Sequence, residues 1–169
     1  MIAVLFARND SRYKELSDFE VYDINRDART YCDSYPVIAH PPCRAWGMLS
    51  HMANPREGEK QLAYLALAQV RLNGGILEHP ASSRLWIEAQ LPLVDEFPDK
   101  FGGFTIEIDQ YDFGHVAHKA TKLYICGINA SKLPPPPTNE QKYQQGQYVE
   151  MLKELNAAHN IKENTVLMN

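Results

Sequence analysis

The chain has 169 residues, 44% of them hydrophobic and 22% charged, with a formal net charge of -4. That is one domain's worth of ordinary globular protein, which excludes a disordered or fibrous chain. The acidic balance also argues against a protein whose main task is coating nucleic acid, although a local basic groove is compatible with it.

The first residues, Met1 to Ala7, are almost all apolar and read as a strand buried on both faces. No basic leader precedes them and Arg8-Asn9-Asp10 interrupts them, so a secretory signal is not expected. No apolar run approaches the roughly 20 residues of a membrane span. The three cysteines, Cys32, Cys43 and Cys126, are an odd number. Together these features point to a reducing, cytoplasmic setting.

A brief helix is expected around Arg12 to Leu16, then a second strand over Phe19 to Ile24. A third strand, Pro36 to His40, is stopped by Pro41-Pro42, because two prolines cannot continue a ladder. From Glu57 to Leu72 apolar residues recur on one side and polar ones on the other, which predicts a helix ended by Gly74-Gly75. A short strand, Ile76 to Glu78, precedes Pro80. A second helix is predicted over Ser82 to Gln90, and late strands over Phe104 to Ile108 and Lys122 to Cys126. Pro134 to Pro137 is a stiff polyproline segment that launches a predicted helix over Thr138 to Asn160. Residues 1–133 then form one α/β domain with a mostly parallel, Rossmann-like sheet, and residues 134–169 pack on the same domain.

In such sheets function gathers beyond the C-terminal ends of the strands. Three of those ends carry chemistry: Asp23, His40-Pro41-Pro42-Cys43 and Glu78-His79-Pro80. Cys43 follows a rigid step that presents it to a pocket. A lone cysteine is more often a buried structural thiol, and Cys32 and Cys126 are read that way. Glu78 ends an apolar strand, where a carboxylate can bind the polar edge of a heterocycle or protonate it. A thiolate that attacks a pyrimidine needs such a partner. The segment from Asp109 to Tyr124 adds His115, Lys119 and Lys122 as candidates for phosphate or ligand contacts. The spacings His40-x-x-Cys43 and His115-x-x-His118 suit zinc, but short spacings of this kind recur by chance and no metal is expected. Trp46 and Trp86 are read as core residues.

Pro41-Pro42-Cys43, Glu78-His79-Pro80, and Phe113-Gly114-His115 followed by Lys119 to Tyr124 resemble, in this order, the catalytic motifs of DNA cytosine 5-methyltransferases. The chain is also similar to short, mostly phage-encoded methyltransferase-like proteins. The resemblance spans Met1 to Gly127. It implies Cys43 as the nucleophile that adds to the ring and Glu78 as the base-recognising acid. Pro42, His79, His115, Lys119 and Lys122 would flank the substrate. It implies S-adenosylmethionine as donor, with Asp23 at its ribose; Arg8 and Asn9, in the turn after the first strand, are read apart from the resemblance as candidates to hold a cofactor or a phosphorylated small molecule. The family's glycine-rich turn after the first strand is replaced here by Ala7-Arg8-Asn9-Asp10-Ser11. No segment matching the family's target-recognition domain follows.

Three functions follow from these residues. The first is a minimal methyltransferase-like protein that acts on a pyrimidine nucleotide or single-stranded nucleic acid. The second is a non-methylating protein that sequesters or degrades a nucleotide-derived signal. The third is an interaction module without a small-molecule pocket.

Overall fold

The computed structural model describes residues 1–134 and 153–154. The expected helix over Thr138 to Asn160 lies outside them, except at Lys153-Glu154, which are helical.

Six strands form one mixed sheet in the order β2-β1-β3-β4-β6-β5: β1 (Ile2–Leu5), β2 (Phe19–Val21), β3 (Val37–Ala39), β4 (Gly75–Pro80), β5 (Phe104–Asp109) and β6 (Ala120–Cys126). The first four run parallel, and β6 lies antiparallel to both β4 and β5. The helices are fewer and shorter than the alternation of motifs suggests. Among residues 1–134 there is one long helix, α1 (Gln61–Asn73), and one single turn, α2 (Leu85–Glu88).

Local chemistry sets these boundaries. In α1 the residues Ala63, Ala66, Leu67 and Val70 are buried at helical spacing. The helix starts four residues later than predicted, because Glu59 is drawn down. Its carboxylate is paired with the Arg44 guanidinium and accepts from Arg56 N–H. Strand β2 stops at Val21, because Asp23 accepts the N–H groups of Asn25 and Arg26 and folds the chain into a turn. The second helix shrinks to α2 between two devices. Ser83 Oγ accepts from Leu85 N–H at its start, and Gln90 takes a positive φ of 51° beyond its end.

The two faces of the sheet bury separate cores. Ala3, Leu5, Val37, Ala39, Leu77 and Tyr124 meet α1, Trp46 and Trp86. Ile2, Val4, Ile38, Ile76, Leu123 and Ile125 meet Tyr13 and Leu16, from the 3-10 turn that covers the other face. Both tryptophans are core, as expected from their setting. Cys126 is buried, whereas Cys32 is exposed and not the structural thiol its isolation suggests. No helix among the described residues is long and apolar enough to cross a membrane.

Gly75 marks the closest approach of backbone in the sheet. It has φ +124°, and a Cβ there would lie 2.0 Å from the Val37 carbonyl oxygen. Gly75→Ala must therefore shift β3 or β4 and is expected to destabilise the fold by more than about 2 kcal/mol, measured by urea unfolding. A change below about 0.5 kcal/mol would show that the β3–β4 junction is not so tightly packed.

Candidate functional site

The parallel strands β1, β3 and β4 all end at the same rim, and their ends enclose a cavity of about 570 Å³. Phe6, Ala7 and Arg8 come from the end of β1; His40, Pro41, Pro42 and Cys43 from the end of β3; Glu78 and Pro80 from β4. Tyr13 closes it from the 3-10 turn, and Gln110 and Lys119 reach it from the β5–β6 connection. Cys43 and Glu78, 35 positions apart in the chain, thus line one concavity. Cys43 is exposed to it and Glu78 forms part of its floor.

Glu78 is the best-connected group of the site. Its side chain is 10% exposed. His40 Nδ1 lies 2.8 Å from one carboxylate oxygen. Gln110 Nε2 donates to the other at 2.9 Å, and Lys119 Nζ stands 3.5 Å from it. Burial pushes the carboxyl up. The hydrogen bond and electrostatic pull of His40, with the Lys119 ammonium, outweigh that and hold it well below its ordinary value. Glu78 is therefore an ionised acceptor, and His40 Nδ1 must carry the proton between them. The expectation that Glu78 itself protonates a bound ring does not suit this state.

The alternation of side chains along a strand removes two of the expected substrate contacts. Glu78 faces the cavity, so His79 faces the opposite side of β4. There it is fully buried, edge-on to Trp46 and Trp86, each with ring centroids 6.5 Å away. Among the described residues neither ring nitrogen makes a hydrogen bond; the nearby Pro42 carbonyl favours its proton without the geometry of one. Burial lowers its pKa to about 4, so it is a neutral core residue. Lys122 pairs across the ladder with His79 and shares its face. Its ammonium stands 3.9 Å from Glu107 and 6.0 Å from the Trp86 ring centroid. His115 folds its Nδ1 onto the Ala117 carbonyl in an exposed loop and lines neither of the two cavities described here. Pro42 and Lys119 are placed as expected.

The residues expected beside a cofactor separate. Asp23 lines a second cavity, of about 530 Å³, which shares Phe6, Ala7 and Pro42 with the first. Arg8 instead lines the Cys43 cavity, in a two-pronged pair with Asp10 at 2.9 and 2.8 Å. Asn9 lines neither; its side chain accepts from Lys14 and Asn25. The Asp23 carboxylate is held down to about 2 by Lys14 first and by the Asn25 and Arg26 amides, so it already serves as a structural corner. The turn after β1 offers no bare backbone. Phe6 stands there at φ +61°, and Ala7 and Arg8 follow with their side chains. These residues do not fit the cradle that S-adenosylmethionine would require.

Sequence reasoning named His40 as part of a strand end that carries chemistry but not as the partner of Glu78; it missed Tyr13 and Gln110 in the first cavity, and Arg29, Arg44 and Arg56 in the second. The pairing was recoverable, since His40 is the last residue before the proline step, one strand from Glu78. Gln110 carries no periodic or motif signal. Among the described residues no three His, Cys, Asp or Glu side chains converge as a metal site would need. No family model matches this chain, and no curated protein is significantly similar to it.

Because the Glu78 pKa is depressed on folding, its contribution is complete above the ordinary carboxylate value of 4.5 and is lost as pH falls toward about 2. Urea midpoints measured from pH 6 to pH 2.5 should fall more steeply for the wild type than for Glu78→Gln. Parallel curves would mean that the carboxylate is not held ionised by its neighbours.

Proposed function

We propose that this domain is a Rossmann-like relative of the cytosine methyltransferases that binds a pyrimidine nucleotide, free or within single-stranded nucleic acid. The pyrimidine ring lies between Cys43 and Glu78. The observation that carries the reading is the shared cavity: an exposed thiol and a buried, ionised carboxylate on one concavity, of a volume in the range of small-molecule sites. The ordered resemblance of Pro41-Pro42-Cys43 and Glu78-His79-Pro80 supports the same assignment of roles.

The chemistry that these residues can perform needs no methyl donor. The Cys43 sulfur, as thiolate, forms a bond to ring carbon 6, and the carbon 5–carbon 6 π pair moves into the ring toward nitrogen 3. Nitrogen 3 takes up a proton from the Lys119 ammonium, which lines the cavity beside Glu78. Glu78 accepts an N–H of the ring edge and fixes its orientation. Carbon 5 is now electron-rich and takes a proton from water. The hydroxide left by that water takes the original carbon 5 proton, the nitrogen 3 proton returns to the Lys119 amine, and expulsion of the thiolate regenerates the ring. The net result is exchange of the carbon 5 hydrogen with solvent.

That exchange is the test. Cytidine 5′-monophosphate and a short cytosine-containing oligonucleotide, incubated with the protein in deuterium oxide, should gain deuterium at carbon 5. Cys43→Ala should reduce the rate by at least about a hundredfold, as expected on loss of a nucleophile, and leave nucleotide affinity within about threefold. Nucleotide binding without exchange would move the protein to the non-methylating binder, and absence of both would remove the pyrimidine reading.

A further inference from the structure

Gln110 has a carbonyl oxygen that the structure leaves over, and its surroundings fix where it is. The side chain is only 6% exposed and lines the Cys43–Glu78 cavity. Its amide nitrogen lies 2.9 Å from a Glu78 oxygen and 3.0 Å from Thr121 Oγ1. Both neighbours can only accept. Glu78 is a carboxylate, and the Thr121 hydroxyl, itself fully buried, already donates its proton to the Lys119 carbonyl at 3.0 Å. A carbonyl turned toward either would face lone pairs, so the amide has one allowed orientation, with both N–H groups spent. Among the described residues the oxygen Oε1 accepts no hydrogen bond and is not one of the buried unpartnered atoms, and the side chain that carries it lines the cavity.

The recognition surface at the cavity floor is thus two acceptors side by side, the Glu78 carboxylate and the Gln110 carbonyl, with the Lys119 ammonium as the adjacent donor. An exocyclic amino group beside a ring nitrogen is the complement of that set. Its two hydrogens go to the two acceptors, and the ring nitrogen takes the Lys119 proton. An oxo group in the same place would face two acceptors, with no donor between them.

Resting on the pyrimidine reading above, we propose that Gln110 is the specificity-determining residue of the site, and that its carbonyl, with Glu78, selects the 4-amino ring of cytosine over the 4-oxo ring of uracil and thymine. Thr121 is its positioning residue, since it fixes the amide without touching the cavity.

Titration calorimetry with cytidine and uridine 5′-monophosphates tests this on the intact chain. The wild type should prefer the cytidine nucleotide by at least about tenfold, the discrimination expected when a site acceptor is matched rather than opposed. Gln110→Met, which keeps length but removes the acceptor, should weaken the cytidine nucleotide by about tenfold and the uridine nucleotide by less than about threefold. Thr121→Val, which frees the amide to turn, should shrink the preference in the same direction, and Thr121→Ser should restore it. Thermal unfolding confirms that each variant is folded at the titration temperature. Equal affinity of the wild type for both nucleotides, or equal losses for both in Gln110→Met, would overturn the role of Gln110 and leave the pyrimidine reading standing. Binding of neither nucleotide would overturn the pyrimidine reading and this proposal together.

Discussion

A carboxylate held ionised at the end of a buried strand is the constraint around which the site is built. Left alone at 10% exposure, Glu78 would be driven to its neutral form, since an unpaired charge in an apolar setting costs several kcal/mol. It is kept charged by donors from three different parts of the chain: His40 after β3, Gln110 after β5 and Lys119 before β6. Each donor ties its own loop to the floor of the cavity. The hydrogen bonds run on through Thr121 to the Lys119 backbone, so five residues behave as one network. Cys43 sits on the wall of that network, and the rigid Pro41-Pro42 step connects it directly to His40.

The sheet explains why these groups meet. Parallel strands bring the ends of β1, β3 and β4 to one edge, and the antiparallel β6 delivers Lys119 and Thr121 to that edge from the opposite chain direction. Period-two alternation then divides neighbours. Glu78 lines the cavity and Thr121 lies buried on the same side of the sheet, while His79 and Lys122 face the tryptophan-lined core. The same rule that makes a strand end a good place for a functional acid makes the next residue a poor one.

Much of this was legible in the sequence, for identifiable reasons. Six strands and the main helix follow from apolar runs and helical periodicity, and their errors lie at ends where side chains cap the backbone, as at Asp23, Glu59 and Ser83. Cys43 and Glu78 were readable because proline and strand termini advertise an exposed loop. His79 and Lys122 were misplaced because adjacency in a motif was read as adjacency in space. The pairing of His40 with Glu78 and the role of Gln110 were not legible, because they arise from hydrogen bonds between segments 38 and 32 residues apart. The missing glycines after β1 were visible, and Phe6 at φ +61° shows their consequence: the first turn is filled by a side chain that separates two cavities.

The claim at the centre is that a pyrimidine occupies the concavity shared by the Cys43 thiol and the Glu78 carboxylate, and selective alkylation tests it most directly. Cys32 and Cys43 are both exposed, so each reports on its own surroundings in one tube. With saturating cytidine 5′-monophosphate, iodoacetamide labelling of Cys43, read by peptide mass spectrometry, should slow by at least about fivefold while that of Cys32 stays unchanged, and Glu78→Gln should abolish the difference. Unchanged labelling of Cys43 at nucleotide saturation would contradict the account.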